Sequence, residues 1–249
     1  MTLLTNEIQV PANLQQSIIV FAADRRISFL NKFHSLGKKV FRIEYLNAGI
    51  GFFGLAEVRP SGRKQSMSTW LPHFITQHHH IRSLRDFADA LRAELDLVVP
   101  NNIKLSNPSG FHLAGFNNQN YPEFWFIRNI GGMNGVRYTN LRDRYFISED
   151  FLSPDAPKQG YNGVAPQVPQ PFVRIYRNGD IVAHILAWEK FDDIFEDFFS
   201  LPEFKKLRTL SDYVQYVEFK MTLIARIYKR YCNISSIGSP VDVFSIGPR

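Results

Sequence analysis

The sequence contains a single cysteine, Cys232, and has no apolar run long enough to cross a lipid bilayer. One cysteine excludes an intramolecular disulfide and a metal site built from several cysteines, and it agrees with a reducing compartment. Crossing a bilayer takes roughly 18 consecutive apolar residues. The N-terminal segment also lacks the basic and apolar regions of an export signal. We therefore expect a cytoplasmic protein that does not interact with a membrane.

Positive charge is in modest excess and is not concentrated. The 29 Lys and Arg residues exceed the 23 Asp and Glu residues and give a formal charge of +6. The basic residues form only short pairs, such as Lys38-Lys39 and Lys229-Arg230, without the interleaved aromatic residues that stack on bases. We interpret the excess as solvated surface charge and expect no nucleic-acid partner.

The pattern of apolar residues predicts grouped strands and grouped helices. Alternating or continuous short apolar runs predict strands at residues 17–23, 40–45, 110–116, 122–129, 172–176, 180–186 and 242–246. Apolar residues spaced by three and four predict helices at residues 67–78, 83–97, 187–200 and 211–231. Such grouping favours an α+β fold, because each antiparallel sheet needs an outer helical layer and an inner partner. The prediction is a four-layer α/β/β/α sandwich of two antiparallel sheets.

Two loops are predicted from glycine, proline and asparagine. Asn178-Gly179 is a strong signal for a tight hairpin, here between the strands predicted at 172–176 and 180–186. Residues 131–171 are rich in glycine and proline and show few regular patterns. We interpret residues 131–171 as an insertion that forms a functional loop or an interface arm, within a single domain that covers residues 1–249.

Three glycines lie close together in the segment AGIGFFGLAEV, at positions 49, 51 and 54. Glycine weakens a strand unless a ligand or another part of the chain must approach the backbone closely. The glycines therefore indicate either a ligand site or tight packing between sheets.

Cofactor and metal sites are not expected. The run His78-His79-His80, with His73 nearby, has no carboxylate at the spacing of zinc ligands. The sequence also has no glycine-rich loop of the kind that binds phosphates.

Three segments resemble the proteasome-type family of N-terminal-nucleophile (Ntn) hydrolases, which includes proteasome β subunits and related bacterial ring proteases. They are FAADRRIS at residues 21–28, KKVFRI at residues 38–43 and GIGFFGLA at residues 49–56. Their order and spacing carry the resemblance more than any one motif. The resemblance implies an Ntn-hydrolase fold and a threonine-type peptidase.

The resemblance also implies roles for individual residues. Thr2, once Met1 is removed, would be the nucleophile, with its own α-amine as the general base. Lys39 would lower the proton affinity of Thr2, and Asp24 would hold Lys39 in place. The backbone N–H of Gly54 would stabilise the oxyanion. Phe52 and Phe53, beside Gly54, would line a hydrophobic specificity pocket.

Two supporting elements of the family have no match in this sequence. An S-G-S element is expected near residues 183–187, where the chain reads AHILA, and a D-x-x-S pair is expected near residues 233–236, where only serines remain. These groups would orient the nucleophile and relay its proton. The alternatives to a peptidase are therefore a catalytically inactive scaffold or binding subunit of the same fold, and an amidase that acts on a small molecule.

The expected partners follow from the resemblance. Such proteins assemble into closed rings, so we expect a ring-shaped homo-oligomer. The substrate would be a peptide or an unfolded protein, delivered in some cases by an ATP-dependent unfoldase.

Overall fold

The structure is a computed structural model that describes residues 2–11, 13–29, 32–151, 172–233 and 236–249. The strands are β1 (Leu3–Val10), β2 (Ile18–Asp24), β3 (Arg26–Phe29), β4 (Lys32–Leu36), β5 (Val40–Ile43), β6 (Ala48–Phe53), β7 (Glu57–Val58), β8 (Gln65–Ser66), β9 (Gly110–Phe116), β10 (Pro122–Asn134), β11 (Arg137–Phe151), β12 (Phe172–Gly179) and β13 (Val241–Ile246). The α-helices are α1 (Met67–Gln77), α2 (Leu84–Val98), α3 (Asn101–Ser106), α4 (Ile181–Ala183), α5 (Glu189–Ser200) and α6 (Leu210–Tyr231). A π-helical segment (His184–Trp188) joins α4 to α5.

The two larger sheets are antiparallel. One has four strands in the order β12-β1-β2-β13, and the other has five strands in the order β11-β10-β9-β6-β5. Two short ribbons, β3-β4 and β7-β8, complete the strands. The chain is therefore a mixed α and β protein with antiparallel sheets, as the apolar pattern predicts.

Two hydrophobic clusters join a sheet to helices. The α2 core packs α1 and α2 on the five-stranded sheet and includes Phe87, Leu91 and Phe111. The α6 core packs α6 and the π-helical segment on the four-stranded sheet and includes Trp188 and Met221. Each helical face is apolar at spacings of three and four, which is why the sequence pattern located α2 and α6 correctly.

The third cluster, the intersheet core, contains residues from both sheets. Gly49 and Gly51 of β6 face it. A Cβ atom at Gly49 would come within 2.7 Å of the Phe21 ring of β2, and one at Gly51 would come within 2.6 Å of the Leu4 side chain of β1. These two glycines therefore serve the close approach of β6 to the other sheet, one of the two readings left open by the sequence.

The predicted hairpin at Asn178-Gly179 is wrong. Residues 181–186 are helical, because the carboxylate of Asp180 accepts a hydrogen bond from the N–H of Ala183 at 3.2 Å and so caps α4. β12 pairs instead with β1, with Gly179 opposite Leu3. Gly179 has a φ of +98° and ends the strand there.

The segment 131–171 is more regular than its composition predicts. Residues 131–134 end β10 and residues 137–151 form β11, so the expectation of irregular structure is wrong for them. The turn between the strands includes Gly135 with a φ of +56°. Residues 152–171 lie outside the described part of the chain, and the single domain with an insertion stays a prediction.

Among the helices of the described residues, none combines the length and apolar composition that crossing a bilayer requires.

Candidate active site

Strand ends bring four of the predicted site residues together. Thr2 precedes β1 and Asp24 ends β2, and the antiparallel pairing of Leu4 with Ala23 sets these two residues side by side. Lys39 precedes β5 and Gly54 follows β6, and these strands pair through Val40 and Gly51. The site therefore lies where the two sheets meet at the ends of their strands.

Asp24 is the centre of the hydrogen bonding. It is fully buried, and its Oδ1 accepts hydrogen bonds from the backbone N–H of Leu3 at 2.8 Å and from Nζ of Lys39 at 3.2 Å. Its Oδ2 accepts one from the N–H of Arg26 at 3.1 Å, and the N–H of Gly238 also donates to the carboxylate. A buried carboxylate is stable only when paired and hydrogen-bonded in this way. Asp24 thus ties the start of β1 to Lys39.

Lys39 is 2% exposed and donates a second hydrogen bond to the carbonyl oxygen of Arg26 at 2.5 Å. Burial lowers the pKa of Lys39, while the charge of Asp24 opposes that shift. Burial raises the pKa of Asp24, against the charge of Lys39 and the Leu3 N–H. The Lys39 ammonium therefore gives up a proton more easily than a solvated lysine would.

A small cavity of about 50 Å³ connects the site residues. Thr2, Lys39 and Gly54 line it together with Phe52, and the remaining lining residues are Arg26, Ile27, Leu55 and Ala56. This volume holds a few water molecules and no large side chain. The residues around this one space therefore include a threonine, a lysine and a glycine.

Phe53 does not line this cavity. Successive residues of a strand point to opposite faces, so Phe52 and Phe53 diverge. Phe53 is 1% exposed in the intersheet core, where its ring centroid lies 5.7 Å from that of Tyr138. Of the two phenylalanines, only Phe52 lines the cavity.

Gly54 has a backbone that other residues rarely adopt. Its φ is +78°, and a Cβ atom there would lie 1.9 Å from the carbonyl oxygen of Pro108. The carbonyl of Gly54 in turn accepts a hydrogen bond from the side-chain amide of Asn107. Both constraints hold the backbone of Gly54 in one position beside the cavity.

Gly54→Ala is therefore expected to destabilise the protein by more than the positive φ alone would cause. Gly62 is a matched control, because it has the same φ of +78° and nothing within 4 Å of a Cβ atom. Gly62→Ala carries the conformational cost of about 1–2 kcal/mol, whereas Gly54→Ala adds an overpacking cost of about 1–3 kcal/mol. Urea unfolding of both variants measures the difference, and equal losses would contradict it.

The sequence did not reveal Asp180 as a neighbour of Thr2. The backbone N–H of Asp180 donates to the carbonyl oxygen of Thr2 at 2.7 Å, and Asp180 is 4% exposed. Its carboxylate accepts hydrogen bonds from Oγ of Ser236 at 2.7 Å and from the hydroxyl of Tyr228 at 3.2 Å. The residue whose backbone holds Thr2 therefore carries a carboxylate that binds a serine, although not at the spacing of the expected D-x-x-S pair.

A second buried network lies between the sheets and ends next to Thr2. The ring nitrogens of His112 contact Oδ1 of Asn6 at 2.8 Å and Nδ2 of Asn178 at 2.9 Å. The hydroxyl of Tyr138 donates to Oδ1 of Asn178 at 3.1 Å and accepts from the N–H of Gly179 at 2.8 Å. These contacts fit a neutral imidazole that donates from Nδ1 and accepts at Nε2.

This network makes stability sensitive to acid. Burial lowers the pKa of His112 to about 3, from an unfolded value near 6.5. The unfolded chain therefore binds the proton first, so the contribution of His112 is complete above pH 6.5 and is lost as the pH falls towards 3. His112 alone therefore makes the free energy of unfolding about 2 kcal/mol lower at pH 5 than at pH 7.

His112→Gln should remove about 2 kcal/mol of the decline in unfolding free energy between pH 7 and pH 5. His79→Gln, at an exposed histidine, is the control and should leave the decline unchanged. Denaturant unfolding of each variant at pH 7 and at pH 5 measures the decline. An identical acid sensitivity in the parent and in His112→Gln would contradict the assignment.

Comparisons with known proteins do not identify the chain. No protein-family model matches it, and no curated protein matches it significantly.

Proposed function

We propose that this chain is an N-terminal threonine hydrolase of the proteasome type, which cleaves peptide bonds with Thr2 as the nucleophile. The observation that carries the proposal is the buried Asp24 carboxylate, which binds both the Leu3 backbone and the Lys39 ammonium. Thr2, Lys39 and Gly54 line one cavity beside it. A nucleophile, a cation and a rigid glycine backbone are the groups that acyl transfer needs.

In the proposed reaction, removal of Met1 frees the α-amine of Thr2. An α-amine titrates near neutral pH, so it can accept the Oγ proton while Oγ bonds to the substrate carbonyl carbon. The oxyanion that forms is stabilised by the backbone N–H of Gly54. The C–N bond then breaks, the α-ammonium returns the proton to the leaving amine, and water hydrolyses the ester on Thr2.

Lys39 and Asp180 would assist this reaction without bonding to the substrate. The positive charge of the buried Lys39 side chain lowers the proton affinity of the Thr2 hydroxyl. The N–H of Asp180 holds the Thr2 carbonyl, and its carboxylate is held by Ser236 and Tyr228. In this proposal Asp180 replaces the missing supporting carboxylate.

The proposed fold is the four-layer α/β/β/α Ntn sandwich. Three observations support it: the α2 core on one sheet, the α6 core on the other, and the intersheet core with residues of both. With the intersheet core in the middle and the α2 and α6 cores on either side, the layers are helices, sheet, sheet and helices.

We extend the proposal to self-assembly, because α5 and α6 expose an unusual number of large apolar side chains. Ile194, Phe198 and Phe219 are each more than 40% exposed, and no residue of α5 is buried. The acidic face of α5, with Asp193 and Glu196, would meet basic residues near the end of α6 in a neighbouring copy, and repeating this contact around one axis would close the expected ring. Contiguous apolar surface with matching charge is typical of an interface.

Phe219→Asp is expected to reduce the native mass to that of a smaller species, because it buries a charge in this contact. Leu97→Asp is the matched control, since Leu97 is 80% exposed on α2, away from the contact. Native mass spectrometry should find a multiple of 28.8 kDa for the parent and for Leu97→Asp. A parent protein found only at 28.8 kDa would contradict assembly.

The intact mass of untagged protein tests the proposed reaction. The proposal requires loss of Met1 and a free threonine at the N-terminus. Retention of Met1 in every molecule would contradict the nucleophile and favour the alternative, an inactive subunit that contributes only to a ring. Peptides and unfolded proteins, supplied in some cases by an ATP-dependent unfoldase, remain the proposed substrates.

A further inference from the structure

We infer that a second site, at the opposite end of the five-stranded sheet, binds a small molecule that carries a phosphate monoester. The site is a cleft of about 700 Å³. Its walls are the link between β5 and β6, the turn between β9 and β10, the start of α2 and Arg249. A cleft of this volume is within the range of small-molecule sites.

The cleft is built by specific hydrogen bonds. Nδ2 of Asn47 donates to the carbonyl oxygen of Gly247 at 3.0 Å. Asn120 pairs with the backbone of Arg249 in both directions, at 2.8 Å and 3.1 Å. The Arg249 guanidinium donates to the carbonyl oxygen of Glu44. Residues 247–249 are therefore fixed across two turns, and the Arg249 side chain is held in place before any ligand binds.

The charge of the cleft selects an anion. Arg82, Arg85 and Arg249 line it, against the single carboxylate side chain of Glu123. None of the three arginines forms an ion pair with a carboxylate of the residues that the structure describes. Arg82 uses one N–H on the carbonyl oxygen of His79 and keeps other donors for a ligand.

The lining suits a phosphate monoester. The lining side chains have a net charge of +2, which the terminal carboxylate of Arg249 offsets in part, and a phosphate monoester carries about −1.5 to −2 at pH 7. A phosphate also presents three acceptor oxygens to the separate arginines, whereas a carboxylate presents two. Arginine also binds phosphate oxygens in pairs through its planar fork.

The rest of the cleft suits the uncharged part of such a ligand. Tyr45 is partly exposed at the wall, and its hydroxyl donates to the carbonyl oxygen of Ile75 at 3.0 Å. Burial raises the pKa of Tyr45 to about 12, so the phenol stays neutral and does not repel an anion. Asn118, at the exposed turn, adds an amide that can bind hydroxyl groups.

This cleft is separate from the cavity at Thr2. Gly54 follows β6 at one end, and Asn47 precedes β6 at the other. The five steps from Ala48 to Phe53 span roughly 17 Å. Ligand binding here does not depend on whether the proposed hydrolase activity is correct.

Isothermal titration with ribose 5-phosphate, inorganic phosphate and ribose tests the inference. Ribose 5-phosphate should bind with a Kd of about 10 µM to 1 mM. Raising NaCl from about 50 to about 500 mM should weaken this affinity roughly tenfold. Ribose should not bind measurably. Inorganic phosphate that bound more tightly than ribose 5-phosphate would overturn the assignment to a phosphorylated small molecule.

Two variants of the cleft and one control variant locate the binding. Arg82→Gln/Arg85→Gln should weaken ribose 5-phosphate at least roughly tenfold, whereas Arg226→Gln, at an exposed arginine of α6, should change it less than about twofold. Circular dichroism checks that the double variant is folded. Arg249→Gln, which leaves α2 intact, is the second test and should also weaken binding. No binding to the parent, or equal losses in the double variant and Arg226→Gln, would overturn the inference.

Discussion

Thr2→Ala is expected to reduce peptide cleavage roughly a thousandfold or more. The variant removes the Oγ that would attack the substrate carbonyl, while Lys39 and Gly54 still line the cavity and Asp24 still binds Lys39. The α-amine and the oxyanion donor alone supply only a small residual rate. Cleavage of fluorogenic peptides by protein whose N-terminus has been verified measures the loss.

Thr2→Ser is the matched control for this experiment. It keeps a hydroxyl at the same position and should retain measurable cleavage, because the nucleophile and its base are both preserved. Cleavage by Thr2→Ala at the rate of the parent would remove Thr2 from the mechanism. Equal loss in the two variants would point to a structural role of the threonine methyl group.

Lys39→Met is expected to cost about 3–5 kcal/mol of stability, because it leaves Asp24 as an uncompensated buried charge. It should also abolish cleavage by molecules that remain folded. The side chains of Asp24 and Lys39 are 0% and 3% exposed, so bulk solvent does not reach Asp24 to compensate for the lost ammonium. Unfolding by urea and cleavage per folded molecule measure the two effects separately.

Lys220→Met separates the catalytic effect from the structural one. Lys220 is also fully buried, and its Nζ donates to Oε1 of Glu7 at 3.1 Å and to Oδ1 of Asp192 at 2.6 Å. Its loss should destabilise the protein by a similar amount, about 3–5 kcal/mol. It should leave cleavage per folded molecule unchanged, because Lys220 does not line the cavity. Equal effects of both variants on cleavage would contradict a specific role of Lys39.

The sequence predicts the elements whose signals are local. The turn NNQN between two apolar runs predicts the β9-β10 hairpin, and the structure confirms it with Phe116 opposite Pro122. The spacing of apolar residues likewise locates α1, α2 and α6. In each case the pattern reflects burial against one neighbouring surface.

The errors occur where contacts far along the chain decide the structure. Asn178-Gly179 is a hairpin signal on its own, but Asp180 caps a helix and β12 pairs with β1. The error at the glycines 131 and 132 has a different cause, because composition alone suggests a loop, whereas β10 pairs with β11, the next strand along the chain, and keeps them in a strand. Partners separated by more than a hundred residues leave no local signal.

The candidate site likewise contains residues that the sequence identified and one that it did not. Asp24, Lys39 and Gly54 are singled out by motifs with a set spacing; in the structure Lys39 and Gly54 line one cavity with Thr2, and Asp24 binds Lys39 behind it. The contact of Asp180 with Thr2 joins two strand ends that are distant in the chain. A capping aspartate after a glycine was its only sequence signal.

Covalent labelling tests the central claim most directly. Protein treated with an inhibitor directed at N-terminal threonine is digested, and the adduct is located by mass spectrometry. The account predicts one adduct, on Thr2 at the N-terminus, that disappears in Lys39→Met and persists in Lys220→Met. An adduct on another residue, or no adduct on protein with a free Thr2, would contradict Thr2 as the nucleophile.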